Sequence, residues 1–177
     1  MSQTISDFYR VAQQRDFARN YMLRVVSIGN NTFNEDDFVY ITTATLPDRA
    51  IQNQTATYMG LDFNMPGTVK YPNSNAWDVT FRADKANLLR NKLEAWQRSL
   101  VFDDQTSTGN LSVRGPESVI QLNQIDDKLN IINSYTLFGA YIQKLGTLGY
   151  DITGSGTPLQ FTATLAYHYW TDTGVGK

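Results

Sequence analysis

Residues 77–100 read Trp77-Asp78-Val79-Thr80-Phe81-Arg82-Ala83-Asp84-Lys85-Ala86-Asn87-Leu88-Leu89-Arg90-Asn91-Lys92-Leu93-Glu94-Ala95-Trp96-Gln97-Arg98-Ser99-Leu100, and their periodicity changes part-way along. The opening Trp77–Arg82 is β-branched and aromatic, which predicts a strand. Asp84 is a good helix N-cap, and after it Leu89, Leu93, Trp96 and Leu100 recur at spacings of four, three and four. That spacing puts one apolar stripe on a helix over 84–100, while Lys85, Asn87, Arg90, Asn91, Glu94 and Gln97 cover the remaining surface. A helix apolar on one side lies against a sheet, so it is expected to act as a lid on a β core.

Outward from this segment the chain reads as strands and turns. Residues 21–28 predict a strand ended by Gly29-Asn30-Asn31, and 38–45 a second one, broken at Leu46-Pro47-Asp48-Arg49 because proline cannot donate to a ladder. Residues 46–57 lack strand alternation and read as an extended loop. From 55 to 65 the alternation is clean: Met59, Leu61, Phe63 and Met65 share a core face, while Tyr58, Gly60, Asp62 and Asn64 share a wet one. Pro66-Gly67 then reads as a turn. Residues 103–110 form a loop without periodicity, and Arg114-Gly115-Pro116 marks a turn. Residues 118–125 and 131–142 are expected to pair as a hairpin around Asp126-Asp127-Lys128. A glycine-rich stretch from Gly146 to Gly156 leads to a last strand in which Phe161, Ala163, Leu165, Tyr167 and Tyr169 share a face. Ser6 reads as the cap of a short helix ending near residues 13–16 within an N-terminal arm, 1–19, and 171–177 reads as a loose tail. The expectation is one domain over 1–177, mainly β with one α-helix, its core built on Trp77, Leu89, Leu93, Trp96, Phe161 and Leu165.

Composition excludes several classes. Fifteen Lys and Arg stand against 17 Asp and Glu, a net charge of -2, so there is no global electrostatic case for gripping phosphates. Without cysteine, disulfide frameworks, thiolate metal sites and cysteine nucleophiles are absent. The first seven residues have no basic segment or apolar core, and no apolar run approaches the roughly 20 residues that span a bilayer, so a soluble chain outside the standard export route is expected.

No motif assembles a reaction. His168 lies within a strand beside Tyr167 and Tyr169 with no serine, cysteine or acid to complete a catalytic arrangement, and is read as structural. Gly174-Val175-Gly176-Lys177 lacks the hydroxyl residue and helix of a phosphate loop, and Gly154-Ser155-Gly156 lacks a third glycine. Glu35-Asp36-Asp37 are adjacent rather than spaced as calcium ligands and read as a solvated hairpin tip. Asp103-Asp104 and Asp126-Asp127 fall in turns, and the sequons closed by Thr32 and Thr55 mean little without a secretion signal. No enzyme, cofactor, metal or small-molecule ligand is expected. Aromatics make up 12% of residues, including ten tyrosines, and several lie outside the core alternation, as interface anchors do, although tyrosines that cap a β-sheet core fit equally well.

An ordered set of short patterns resembles the tail tube proteins of contractile-tailed, T-even-type bacteriophages. These are Trp77-x-Val79-Thr80, Asp84-x-Ala86, Arg90-x-Lys92 and Trp96-Gln97, preceded by Asp16-Phe17-Ala18-Arg19 and Leu46-Pro47. Gly139 with Gly146, and Phe161-x-x-Thr164-Leu165-Ala166-x-x-Tyr169-Trp170, follow in family order. Ile142, where the family can carry proline, and residues 103–110 depart from the pattern.

The resemblance implies two packed antiparallel sheets with one helix, the inner strands closing a ring-wide barrel in a hexamer. Stacked hexameric rings would form the conduit for DNA ejection, inside a sheath and upon a baseplate, with a tail terminator as a further partner and the passing genomic DNA not specifically bound. The location implied is the virion tail, after assembly in the host bacterial cytoplasm. Within that picture Tyr58, Asp62 and Asn64 are the candidate lumen residues. Phe8, Phe17, Arg19, Leu46, Pro47, Asp48 and Arg49 are the candidates for inter-ring or inter-subunit contact, with 46–57 as the inter-ring loop. The alternatives are a tube-initiating baseplate ring protein or secretion-system needle protein, and, in a different class, a carbohydrate- or ligand-binding β-sandwich with a concave aromatic site.

Overall fold

A computed structural model describes the chain except residues 1–3, 16–17, 30–32, 102–104, 107, 110–114, 155 and 175–177. Strand β5 (Trp77–Arg82) buries Trp77, Val79 and Phe81 and leaves Asp78 and Arg82 exposed, the period-2 pattern of a strand packed on one face. It lies inside an antiparallel sheet ordered β2 (Ile41–Thr43), β5, β9 (Gln160–Ala166), β8 (Tyr141–Leu145). A second sheet runs β1 (Leu23–Ile28), β6 (Val119–Ile125), β7 (Ile131–Phe138), β10 (Tyr169–Gly174). One buried cluster takes Val25, Ile120, Leu122 and Leu137 from the second sheet and Phe81, Ile142, Phe161 and Leu165 from the first, so the sheets pack on a shared core.

Helix α3 (Leu88–Val101) covers this core with Leu89, Leu93, Trp96 and Leu100, all buried. It starts later than Asp84 because Asn87 takes a left-handed φ of 56°. The Asp84 carboxylate nevertheless satisfies the helix start, accepting from Leu88 N at 2.8 Å and Leu89 N at 3.2 Å. Trp96 donates its indole N–H to Glu117 O at 3.0 Å, Gln97 Nε2 donates to Ile142 O at 3.1 Å, and Arg90 donates to Gly146 O at 2.7 Å. These bonds tie the lid to β8 and its end, through Ile142 and Gly146, and to the turn before residue 119, through Glu117.

The described residues hold three α-helices: the lid, the short helix expected in the N-terminal arm, and one that was not expected. Helix α1 (Ile5–Arg15) is capped by Thr4 rather than Ser6: Thr4 Oγ1 accepts from Asp7 N, and Asp7 Oδ2 accepts from Thr4 N. Helix α2 (Glu35–Phe38) replaces both the supposed acidic hairpin tip and the start of a strand at residue 38. Its Asp37 closes the turn by accepting from Asn34 N at 2.9 Å and also takes Lys92 Nζ at 2.6 Å. Four residues are too few to show a helical period, which is why only the acids stood out in sequence.

Two expected strands are each divided at one corner. The 131–142 run splits at Gly139, where β7 passes to β8 of the other sheet. The last run splits at Tyr167-His168, where β9 passes to β10. His168 N donates to Phe138 O at 2.8 Å, and Gly139 has a φ of 67° with its α-carbon under the His168 ring. The β7–β8 and β9–β10 passages between the sheets are therefore stacked on each other, and a side chain at 139 would strike the imidazole. Tyr167 is buried, whereas Tyr169 is exposed and stacks on Phe138 at 4.9 Å, so the two tyrosines do not share a face. The expected loose tail is in part strand, since Thr171 to Gly174 pair with β7, and residues 175–177 lie outside the described residues.

The largest correction concerns residues 46–70. Strand β3 (Ala50–Tyr58) pairs antiparallel with β4 (Leu61–Lys70), forming a hairpin separate from both sheets. The extended loop at 46–57 is thus strand from Ala50 onward, Pro66-Gly67 lie inside β4, and the turn is Met59-Gly60. Every residue from Ile51 to Lys70 is exposed, so the supposed core face of 55–65 is not in this subunit's core. Residues 46–57 show no alternation because β3 is held by its ladder to β4, without one face being buried.

Candidate interaction surface

The register of the hairpin sorts its side chains into two faces. Tyr58 stands opposite Leu61, Ala56 opposite Phe63 and Gln54 opposite Met65, which puts Tyr58, Leu61, Phe63 and Met65 on one apolar face. Thr57 stands opposite Asp62 and Thr55 opposite Asn64 on the other. There Thr57 Oγ1 donates to Asp62 Oδ1 at 2.7 Å and Thr55 Oγ1 to Asn64 Oδ1 at 2.8 Å, a short polar ladder. Of the three lumen candidates, Asp62 and Asn64 share this polar face and Tyr58 does not. The reason is the turn: Met59 and Gly60 have φ of 50° and 83°, the two positive values of a type I′ hairpin, and the chain reverses between Tyr58 and Asp62. A single strand would have kept their parity.

Beyond Asn53 the ladder contains a bulge, with Gly67 against Gln52. A β-carbon on Gly67 would lie 2.6 Å from the Gln52 carbonyl oxygen, so the close approach of the two backbones requires glycine. Ile51 and Val69 follow the bulge, both exposed. The only basic residue between Ala50 and Lys70 is Lys70 at the base.

The Leu46 to Arg49 candidates are drawn together at the root of this hairpin. Pro47 is buried, and Leu46 is exposed. Asp48 accepts from Asn73 N at 3.3 Å and Asn73 Nδ2 at 2.6 Å, and its carbonyl takes the Trp170 indole N–H at 2.9 Å. The Arg49 guanidinium lies 4.0 Å from the Trp170 ring centroid and 4.0 Å from Asp172 Oδ1. Nearby, burial pushes the Tyr167 hydroxyl up to about 12, with the Asp48 carboxylate and Tyr71 adding to the shift. Asp48 and Arg49 therefore bind their own subunit; of the residues that complete the cluster, Trp170 was named only as the end of the 161–170 pattern and Asn73 carried no signal in sequence.

The other candidates are scattered. Phe8 is exposed on α1, Arg19 donates to the Tyr21 hydroxyl at 3.0 Å, and Phe17 lies outside the described residues. Trp77, Leu89, Leu93, Trp96, Phe161 and Leu165 are all buried. A depression of about 300 Å³ lined by Arg19, Met22, Leu23, Leu46 and Gln124 is open to solvent. No helix among the described residues is long and apolar enough to cross a membrane.

These features define a class: a two-sheet sandwich with, among the described residues, four outer strands, β1, β10, β2 and β8, and a hairpin whose apolar face those residues leave bare. No family model and no curated protein matches the chain. Solved structures do. A chain of the PVC extracellular contractile injection system, from its sheath–tube complex in the extended state, aligns over 98% of this chain and 100% of its own, with 14% identity and a TM-score of 0.57. A chain of the PVC sheath/tube terminator aligns over 89% and 96%, with 15% identity and a TM-score of 0.58. A chain of the anti-feeding prophage tube-terminating cap aligns over 91% and 97%, with 17% identity and a TM-score of 0.56. The fold is that shared by tube and terminator proteins of contractile systems, as the resemblance implied.

Proposed function

We propose that this chain is a structural subunit of a contractile tail, six copies closing into a ring and rings stacking into a hollow tube. The observation that carries the reading is the hairpin. A two-stranded hairpin is marginal alone in water, and Tyr58, Leu61 and Phe63 are 75%, 70% and 63% exposed on one of its faces. Docking that face on the neighbouring copy removes the exposed apolar surface, and pairing along the outer strands closes the ring-wide barrel. The similarity to chains of a sheath–tube complex supports the same reading.

In this arrangement the opposite face, with Thr55, Thr57, Asp62 and Asn64, lines the bore. It has hydroxyls, an amide and a carboxylate and no cation, so a phosphate backbone passes without the counterion release that would hold it. The cargo is then genomic DNA, the outer partners are sheath, baseplate and terminator proteins, and the location is the virion tail. Electron microscopy of the purified chain is the test. Long hollow tubes are expected; isolated rings would favour a terminating or initiating role, for which the terminator similarity speaks. A monodisperse monomer at high concentration would overturn the assembly reading. Assembled tubes that pelleted duplex DNA at physiological salt would overturn its DNA-conducting part.

A further inference from the structure

Both legs of the hairpin leave the sandwich through one knot of side chains. On the incoming leg, Thr45 O takes the Trp77 indole N–H at 2.9 Å, Pro47 is buried, and Asp48 O takes the Trp170 indole N–H. On the returning leg, Tyr71 lies edge-on to Trp170 at 6.4 Å and Ser74 O takes Tyr167 N at 2.7 Å. Asp48 joins the legs directly through its two bonds to Asn73. Trp170 is the common anchor, also edge-on to Tyr135 at 5.6 Å, with Arg49 over its ring. The knot thus binds each leg to the other and to both sheets, immediately before a segment in which nothing is buried.

We propose that this knot, centred on Asp48, Arg49, Asn73 and Trp170, holds the hairpin at a fixed angle in the free subunit, so that its apolar face is already aimed at the neighbouring copy before assembly. The inference rests on the proposed docking of that face. A rigid root matters because the hairpin is a lever: the nine residues of β3 carry its tip roughly 26 Å from the root. At that length a swing of about 20° at the root moves the tip by roughly 9 Å, far outside contact distance. Fixing the angle in advance removes an ordering cost that docking would otherwise bear. Asp48 is suited to the role because its two carboxylate oxygens accept from the backbone and side chain of a single residue, which defines a direction and not merely a contact.

The chain has no cysteine, so paired spin labels can be placed cleanly at Met59→Cys on the tip and Lys128→Cys on the sandwich. On the dispersed full-length subunit the unaltered root is expected to give a narrow distance distribution. Asp48→Ala, and separately Arg49→Ala, should broaden it at least twofold while the unfolding midpoint of the sandwich stays close to that of the parent. In unlabelled protein the Asp48→Ala change should raise the concentration needed for assembly by about tenfold. Distributions as narrow as the parent's in both variants overturn the inference, as does broadening without any change in assembly. The distances are read on dispersed subunits, so a parent protein that never assembled would refute the tube reading and leave the rigidity of the root separately measured.

Discussion

Replacing Phe63 by aspartate separates the fold of the subunit from its assembly. Phe63 lies at the middle of the apolar hairpin face, opposite Ala56, and is 63% exposed. A phenylalanine side chain presents roughly 200 Å², so about 125 Å² remains to be covered by a partner. At about 25 cal/mol per Å² that is worth roughly 3 kcal/mol per contact, an upper value because docking covers it incompletely. Phe63→Asp forfeits this and adds a carboxylate that docking must strip of water. The concentration needed for assembly should therefore rise roughly 100-fold, each tenfold step corresponding to about 1.4 kcal/mol. Because Phe63 is outside the core cluster, subunit stability should change by no more than about 0.5 kcal/mol. Sedimentation velocity across a concentration series, with thermal unfolding alongside, reads both quantities. A Phe63→Asp protein that assembled at the parent's concentration would refute the docking of this face.

Three further outcomes follow from particular residues. Gly139→Ala should cost roughly 1–3 kcal/mol by denaturant unfolding, and Gly139→Ala with His168→Ala should recover the steric part while the positive φ of 67° keeps its own cost. Met59→Asn should stabilise the free hairpin by about 0.5–1 kcal/mol, because asparagine accepts the left-handed φ of 50° more readily; slower amide exchange along β3 and β4 is the readout, and unchanged exchange counts against a type I′ turn. Tyr167 is pushed from 10 up to about 12, so its folded state holds the proton more tightly than the unfolded one. Its contribution is full below pH 10 and is lost as the pH rises from 10 through 12, so the parent should lose stability over that window relative to Tyr167→Phe, and parallel curves would contradict the assignment.

Where one side of an element faces the subunit's own core, its pattern was readable. The β5–α3 segment is the case in point: Leu89, Leu93, Trp96 and Leu100 all point at the sheets, and the helical period follows. The start of α3 was harder, because Asp84 caps from four residues upstream across a left-handed Asn87. The corner at Gly139 and His168 was hidden for a different reason. Apolar residues continue through both breaks, so nothing in the pattern marks that Leu137 and Ile142, both fully buried, belong to different sheets. Only the backbone conformation at Gly139 separates them. The root cluster was visible as Leu46-Pro47-Asp48-Arg49 but was assigned outward, since its partners Asn73 and Trp170 come from 25 and 122 positions along the chain relative to Asp48.

The hairpin carries a different lesson, because its alternation was real and its interpretation was not. Leu61, Phe63 and Met65 do share a face, as the period-2 pattern said, and that face is exposed. Alternation in sequence registers that one side of a strand needs to be covered; it does not register which chain covers it. Met59-Gly60 obscured the reversal because methionine is an unusual residue at a positive φ, and the turn divides what had looked like one strand into two. Once the turn is placed, Tyr58 moves to the apolar face and the polar face is left with Thr55, Thr57, Asp62 and Asn64. The division into an apolar and a hydrogen-bonded polar side is then sharper than the single-strand reading allowed. On the proposed function, both sides have a use: the first becomes core between copies, and the second stays wet because it borders the bore.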